Sequence, residues 1–414
     1  MNEELRIYVY DSFSSDTDVL MGHLYVNYLR GNENYSFEYD PNWLEKHPNI
    51  PFLDPALQFF EGRQYPLTDS MFGIFSDASP DRWGRVLMKK KERNLSDKEN
   101  RKPRKLNDSD FLLGVYDETR MGGLRFKVDP EEKFLSDDQE TATPPWTTLR
   151  TLEEASRELE NDENALNEKW INQLIRPGSS LGGARPKATV ADPNGNLWIA
   201  KFPSKNDENN TGAWEKVASD LAKLCGLDVP ESKLETFSKL GGTFLVKRFD
   251  RIGSKRIHFA SAMTLLGKTD GASAQEGVGY LDIASFIKSY GSNPKQDLLE
   301  LWKRIVFNMA ISNTDDHLRN HAFIFTDHGW KLSPLFDVNP VPYGDTLALN
   351  VSSDENSISI PLAISVANLF GLSGDEAKMH AEKIVSTVQN NWEKTAIGYG
   401  ITRAQIEEMR PAFI

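Results

Sequence analysis

The chain has 414 residues, of which 39% are hydrophobic and 26% charged, and its formal net charge is −13 at pH 7. This composition is typical of a soluble globular protein with two or three domains, or one domain with a large lobe, and the acidic balance argues against binding nucleic acid over a broad face. Cys225 is the one cysteine, so an internal disulfide is excluded and a reducing cytoplasm fits. Because the sequence shows neither a signal peptide nor an apolar run near the roughly 18 residues of a membrane span, we expect a cytoplasmic protein without membrane contact.

Aromatic and β-branched residues alternate with polar ones near the N-terminus, with turn residues between the segments. This pattern predicts a small antiparallel sheet. Its strands are expected at Leu5–Tyr10, Gly22–Leu29 and Tyr35–Tyr39.

The segment from residue 79 to residue 105 is rich in charge. Ser79 is expected to cap a helix with Pro80 at its first position, and the charged residues of 80–85 are expected to cap and pair within the fold. Residues 89–105 hold nine Lys or Arg against three acidic residues. A solvated helix and loop is the simpler interpretation of this run, and contact with nucleic acid or an acidic partner is the alternative.

The residues that follow have the composition of a linker and then of a helix. Residues 129–145 are acidic and end in two prolines, which indicates a boundary between domains or lobes. A helix is predicted from about Leu149 to Leu174.

A loop with paired glycines comes next, at residues 176–190. Gly182 and Gly183 let the backbone approach a ligand closely, and successive N–H groups can form an anion-binding concavity. Neither a Walker A loop nor a dinucleotide fingerprint is present, and a plain turn is an equal alternative.

A predicted strand at 196–202 contains Lys201, where an unpaired charge would be costly. Protein kinases keep the lysine that holds the α- and β-phosphates in such a strand, and an edge-strand lysine that reaches solvent is the alternative. In the next predicted helix Glu215 could pair with Lys201, with Asp220 and surface pairing as competitors.

The stretch Gly242–Arg251 predicts a strand that runs into a polar segment, whose backbone could bond to an adenine edge. Beyond it, apolar residues recur at helical spacing and predict one buried helix face. They are Leu298, Leu301, Trp302, Ile305 and Met309.

That helix leads into the polar stretch 313–320. Asp315 and Asn320 stand five apart, and Asp337 follows 22 residues after Asp315, beyond a predicted hairpin with strands at 321–325 and 330–332. Phosphoryl transfer needs an Asp for the attacking hydroxyl and an Asn and a second Asp for magnesium, and protein kinases place them in this order. The usual HRD and DFG letters are absent, and turn chemistry is the other interpretation of the polar cluster.

Taken together, these motifs resemble the HipA-type bacterial serine/threonine kinases, which are the toxin halves of toxin–antitoxin pairs. The resemblance lies in residues 179–187, 200–203, 247–251, 313–320 and 336–338, with 80–85 similar to the family's N-terminal subdomain. It implies an α+β, two-lobed protein-kinase-like fold with a β-rich N-terminal subdomain and a helical C-terminal lobe. The implied parts are the subdomain at 1–125, an acidic linker at 126–145, the nucleotide-binding part of the N-lobe at 146–250 and the C-terminal lobe at 251–414.

The resemblance also implies the roles of individual residues. Asp315 would be the catalytic Asp, while Asn320 and Asp337 would bind Mg²⁺. Lys201 would hold the ATP phosphates, residues 182–187 would cover them, and residues 247–249 would form the hinge against adenine. The implied ATP-binding residues are Gly182, Gly183, Ala184, Arg185, Pro186, Lys187, Lys201, Lys247, Arg248, Phe249, His317, Leu318, Arg319, Asn320, Phe336 and Asp337.

Members of this family phosphorylate a serine of their own just before the glycines, which switches the enzyme off. Ser180 matches that position and Ser179 is its close competitor. A phosphate of charge near −2 cannot share a site with the phosphates of ATP. Two departures are Lys247, where an acidic residue is common, and Arg185-Pro186, where the best-known member has Gln-Glu.

The partners implied by the resemblance are a helix-turn-helix antitoxin of HipB type and, only through that complex, operator DNA. The implied protein substrate is an aminoacyl-tRNA synthetase. A non-catalytic nucleotide-binding module acting as an antitoxin-dependent corepressor is the alternative. A small-molecule kinase is a third possibility, against which the N-terminal subdomain argues.

Overall fold

The computed structural model describes residues 4–29, 31–48, 50–68, 70–135, 143–161, 174 and 185–413. The chain divides into two compact units. Unit 1 is Met1–Lys205 with Lys247–Ala260, and unit 2 is Asn206–Val246 with Ser261–Ile414. In the ranges just given, no helix is both long and apolar enough to cross a membrane.

The strands within these ranges are β1 Leu5–Asp11, β2 Val19–Leu29, β3 Asn32–Tyr39, β4 Leu124–Lys127, β5 Lys187–Ala191, β6 Leu197–Lys201, β7 Ser232–Ser238, β8 Gly241–Lys247, β9 Arg251–Ile252, β10 Lys255–Arg256, β11 Phe259–Ser261, β12 Ala322–Thr326 and β13 Gly329–Leu332. The α-helices are α1 Pro41–Lys46, α2 Gly73–Asp77, α3 Arg82–Lys98, α4 Asp108–Leu113, α5 Leu149–Asn161, α6 Thr211–Leu224, α7 Ala262–Leu265, α8 Tyr280–Tyr290, α9 Pro294–Ala310, α10 Ile360–Ser365, α11 Gly374–Gly398 and α12 Arg403–Met409.

Unit 1 begins with a four-stranded antiparallel sheet in the order β3-β2-β1-β4. Alternate side chains of its strands, such as Ile7, Leu24 and Phe37, are fully buried, as the period of two along a strand requires. The three strands predicted near the N-terminus are therefore confirmed. Strand β4 runs through residue 127, so the first two residues of the predicted linker at 126–145 belong to the sheet.

Strand β3 forms one edge of this sheet. Its Phe37 N–H donates to the Gln64 carbonyl at 2.9 Å and its carbonyl accepts from the Gln64 N–H at 2.8 Å. At the other end of the strand, the Glu33 carboxylate accepts from the backbone N–H and the hydroxyl of Ser109, at the start of α4. Among the described residues, Gln64 and the start of α4 make these contacts with the edge, and the sheet has four strands.

Helix α3 begins after Asp81, whose carboxylate accepts from the Gly84 N–H at 2.8 Å. The predicted cap at Ser79 is wrong, because that hydroxyl instead donates to the Phe75 carbonyl at 3.0 Å. The second carboxylate oxygen of Asp81 pairs with Lys187 Nζ on β5 at 2.7 Å, and the two side chains are only 2% and 1% exposed. The expectation that the charged residues of 80–85 cap and pair within the fold is confirmed for Asp81.

Part of the basic run is neutralised inside unit 1. The buried Glu92 carboxylate accepts from Arg101 at 2.6 Å and from the Arg104 backbone N–H at 2.9 Å. Arg104 also pairs with Asp110 at 2.8 Å. These contacts fold the segment after α3 back onto the helix.

Unit 2 is built around α9, which packs against α8, α10 and α11. The five apolar residues predicted to form one buried face of this helix are all buried, so that prediction is confirmed. The Trp302 indole N–H donates to the Ala363 carbonyl at 2.9 Å. The predicted hairpin is also present, with Phe323 opposite Leu332 across β12 and β13.

Candidate functional site

The loop that follows α9 is fastened to the end of that helix. Ser312 adopts a left-handed backbone, with φ of 48°, which turns the chain at a cost that non-glycine residues seldom accept. The Asn313 N–H then donates to the Asn308 carbonyl at 2.8 Å, and its side-chain amide donates to Asn308 Oδ1 at 3.1 Å. The start of the loop is therefore held in one place.

Asp315 is exposed, while its backbone is held within the loop. Its carbonyl accepts from the His317 N–H and from Asn320 Nδ2, both at 3.0 Å. Because Asp315 is exposed beside a fixed backbone, an incoming hydroxyl can reach its side chain, which is one condition that a general base must meet.

Asn320 is only 3% exposed, and its Oδ1 has no hydrogen-bond partner within the described residues. Its Nδ2 is used by the Asp315 carbonyl, so the orientation of the amide is fixed. A buried acceptor without a partner requires an explanation, and an amide oxygen is a ligand that Mg²⁺ accepts. The donor chemistry of Asn320 thus fits the magnesium role implied by its sequence position.

Asp337 lies beyond the β12–β13 hairpin and is half-buried. Its backbone is left-handed, with φ of 57°, a conformation that is concentrated at functional sites when a non-glycine residue adopts it. Among the residues the structure describes, no group of three or more His, Cys, Asp or Glu could hold a metal ion. Mg²⁺ is commonly bound by one or two carboxylates together with substrate phosphates.

Asp316 has an environment opposite to that of Asp315, because it is 1% exposed. Its Oδ2 accepts from the Tyr280 hydroxyl at 2.6 Å and from Asn308 Nδ2 at 2.7 Å, and lies 2.8 Å from His321 Nε2. Burial alone would raise the pKa of Asp316, but His321 and the other donors hold that pKa below its ordinary value. Sequence reasoning missed this residue, since a polar residue in a turn gives no sign of burial.

The rest of the loop is a short 3-10 turn at Leu318–Asn320. The Leu318 side chain is buried in unit 2, and Arg319 pairs with Asp270 at 2.9 Å. His317 is half-buried. The nucleotide contacts expected for these three residues stay predictions, and for Leu318 the burial of the side chain leaves the backbone as the contacting group.

Of the residues expected to bind phosphate, unit 1 places Lys187 and Lys201 directly opposite each other on β5 and β6. Such a pair shares one face of the strands, and like charges there repel. Asp81 offsets the charge of Lys187. Arg185 Nε donates to the Phe202 carbonyl at 2.9 Å, and the Pro186 carbonyl accepts from the Phe202 N–H at 2.9 Å.

The expected hinge contains a buried ion cluster. Arg248 donates to Asp250 through Nε at 2.8 Å and through an NH₂ group at 2.7 Å, and its backbone N–H donates to the Leu197 carbonyl at 2.9 Å. Burial would raise the pKa of Asp250, but Arg248 and Arg251 hold it well below its ordinary value. The side chain and the backbone N–H of Arg248 are therefore used within unit 1, and the adenine contacts expected of residues 247–249 stay predictions.

The predicted residues fall into three groups. Residues 315 and 317–320 share one loop of unit 2, and residues 336 and 337 follow the hairpin of the same unit. The second group, Ser179, Ser180, Gly182, Gly183 and Ala184, lies outside the described residues. The third group, in unit 1, consists of Arg185, Pro186, Lys187, Lys201 and residues 247–249. Lys201 and Glu215 are both buried but belong to different units, so their pairing stays a prediction.

Comparison with known proteins gives sequence relatives that are kinases by name. Over 188 residues the chain is 30% identical to a putative kinase of Haemophilus influenzae, covering 40% of this chain and 54% of that protein. Over 251 residues it is 26% identical to the serine/threonine-protein kinase toxin HipA of Shewanella oneidensis, covering 52% of this chain and 56% of that protein. The chain thus spans about half the length of these curated relatives.

The structural comparison covers nearly the whole chain. The HipA chain in a complex of Shewanella oneidensis HipA, HipB and operator DNA is similar with a TM-score of 0.69 and 17% identity, covering 98% of this chain and 94% of that chain. The predicted α+β, two-lobed kinase-like fold is thereby confirmed. The family model of the HipA-like C-terminal domain matches residues 179–392, more than half of the sequence. The chain therefore belongs to the HipA-like family.

Proposed function

We propose that the protein is an ATP-dependent protein serine/threonine kinase and the toxin of a toxin–antitoxin pair. The observation that carries the proposal is the loop at 313–320. It exposes the Asp315 carboxylate and holds the buried Asn320 amide with an oxygen that no described group uses. Family membership adds support, because relatives that match about half of their own length are kinases by name.

In the proposed reaction a serine or threonine hydroxyl attacks the γ-phosphoryl group of ATP. The Asp315 carboxylate orients that hydroxyl and accepts its proton, while the bond between the γ-phosphorus and the β-phosphate oxygen breaks. Asn320 and Asp337 would hold Mg²⁺, which neutralises phosphate charge when bound. Lys201 would bind the phosphates, and the backbone at 247–249 would hold adenine.

The finer parts of the proposal concern regulation and partners. We infer self-phosphorylation at Ser180, with Ser179 as the alternative, and inactivation by the charge that this adds. The proposed partner is a helix-turn-helix antitoxin of HipB type, through which the chain would reach operator DNA. The proposed target is an aminoacyl-tRNA synthetase, in the cytoplasm.

The test is the intact mass of the purified chain before and after incubation with Mg-ATP, followed by peptide mapping across residues 176–190. We expect one added phosphate on Ser180 or Ser179 in the wild type. Asp315→Asn should gain no phosphate and still bind ATP, because its side chain keeps its size but loses its basicity. Asp327→Asn, an exposed Asp in the hairpin turn of the same unit, is the matched control and should label normally.

Equal labelling of Asp315→Asn and the wild type would exclude Asp315 as the base. An unphosphorylated chain that binds ATP, gains no mass and labels no added aminoacyl-tRNA synthetase would instead favour the non-catalytic corepressor. That alternative is then tested by operator binding of the antitoxin with and without this chain.

A further inference from the structure

The three donors around Asp316 come from parts of unit 2 that are distant in sequence. Tyr280 begins α8, Asn308 lies in the last turn of α9, and His321 follows the loop itself. All three meet one carboxylate oxygen, Oδ2, at 2.6, 2.7 and 2.8 Å. Asp316 therefore joins two helices to the loop at a single atom.

Asn308 contacts the loop on both sides of Asp315. Its Nδ2 donates to Asp316 while its Oδ1 and its backbone carbonyl accept from Asn313. One residue of α9 thus holds the chain just before and just after Asp315. The Asp315 carbonyl is in turn held by Asn320 Nδ2, so the proposed base and a proposed magnesium ligand belong to one hydrogen-bond network.

Asp315 and Asp316 are joined by one peptide bond in the turn that follows α9. Asp316 is buried and Asp315 is exposed, so anchoring the first sets the direction of the second. An apolar residue at position 316 would fill the same space but would accept no hydrogen bond. The loop would then lack the directional contacts that the three donors make to Asp316 Oδ2.

We propose that Asp316 is a positioning residue for phosphoryl transfer, acting through the backbone to aim the Asp315 carboxylate. This inference rests on the kinase activity proposed above. Asp316 touches neither nucleotide nor acceptor in this role. Its effect is on the rate of transfer, since an error of about 1 Å in a reacting group can cost on the order of a hundredfold.

The first arm of the test measures rate and affinity separately. Single-turnover transfer and ATP affinity are compared for the wild type, Asp316→Ala and Asp316→Asn. We expect Asp316→Ala to slow transfer about a hundredfold while ATP affinity changes by less than about threefold. Asp316→Asn retains an acceptor oxygen and should lie between the two.

The matched control is Asp297→Ala. Asp297 is another buried Asp of unit 2, and it accepts from the Leu332 N–H at 3.0 Å. It has no contact with the 313–320 loop among its hydrogen bonds in the described residues, so its loss should lower the melting temperature without slowing transfer. A transfer rate in Asp316→Ala within about threefold of the wild type, or an equal slowing in Asp297→Ala, would overturn the proposal.

The second arm does not need activity. Hydrogen exchange at the His317 and Asn320 amides, both bonded within the loop, should speed up in Asp316→Ala while the middle of α9 is unchanged. Unchanged exchange at both amides, or faster exchange throughout α9, contradicts local positioning. If the wild type itself transfers no phosphate, the proposed activity fails, and this arm alone decides whether Asp316 orders the loop. Should Asp316→Ala not fold, Asp316→Asn decides both arms.

Discussion

The buried pair of Asp81 and Lys187 allows a quantitative test of how unit 1 is held together. Its atoms lie 2.7 Å apart and its side chains are 2% and 1% exposed. Losing one partner of such a pair leaves the other charge buried and unpaired, at a cost of about 3–5 kcal/mol. Lys187→Met and Asp81→Asn should each lower the free energy of unfolding by about this amount. Asn is as good a helix N-cap as Asp, so the cap itself is kept.

The double variant, which lacks both charges, measures the net contribution of the pair to stability, whereas each single variant measures the loss of one partner. With both charges removed the desolvation cost is gone as well, so we expect the double variant to lose about 1 kcal/mol rather than the sum of the two singles. Urea unfolding followed by tryptophan fluorescence gives the three differences.

Glu4→Gln is the control. Glu4 pairs with Arg63 at the same 2.7 Å, but the two side chains are 32% and 38% exposed, so the loss should stay below about 1 kcal/mol. Single variants at Asp81 and Lys187 that cost no more than Glu4→Gln, or a double variant that costs as much as the sum, would refute this reasoning.

Three further results are expected. Burial lowers the pKa of His258 from 6.5 to about 4, so the free energy of unfolding should be highest above pH 6.5 and fall by up to about 3 kcal/mol towards pH 4. His258→Phe, which keeps a ring stacked on Phe13, should remove this pH dependence, measured as the midpoint of urea unfolding at each pH. An unchanged pH profile in that variant would contradict the prediction. Asn320→Ala should raise the magnesium needed for half-maximal transfer about tenfold or more, whereas an unaltered requirement would exclude it as a ligand. A Cβ on Gly344 would lie 2.3 Å from the Thr314 methyl. Gly344→Ala should therefore press on the residue before Asp315 and slow transfer about tenfold. Adding Thr314→Ser removes that methyl and should restore the rate, and a double variant as slow as the single would argue against the contact.

Strands and helices with regularly spaced apolar residues could be predicted from the sequence. The strands at the N-terminus and the buried face of α9 follow from alternation and from helical spacing, and both match the structure. The cap of α3 could not be assigned in the same way. Ser79 and Asp81 are both competent caps two residues apart, and the pairing of Asp81 with Lys187, more than a hundred positions away, distinguishes them.

The candidate site likewise has one part that the sequence predicts and one part that it does not. The spacing of Asp315, Asn320 and Asp337 can be seen in the sequence, because protein kinases place an Asp, an Asn and a second Asp in that order. The environment of Asp316 is not visible, since its partners Tyr280 and Asn308 are brought to it by helix packing. A sequence reader sees two adjacent aspartates, and only the tertiary structure makes one exposed and the other buried.

The edge at β3 has a consequence for how the chain behaves at high concentration. Exposed strand edges recruit strands of other molecules and lead to aggregation. Asn32, Glu33 and Asn34 make the open end of this edge polar, and Ser109 binds the Glu33 carboxylate there. A substitution such as Glu33→Val would leave the proposed chemistry untouched, yet it would present a more apolar strand to neighbouring molecules. The first sign of such damage would be insoluble protein in the expressing cell, with normal activity in the fraction that stays in solution.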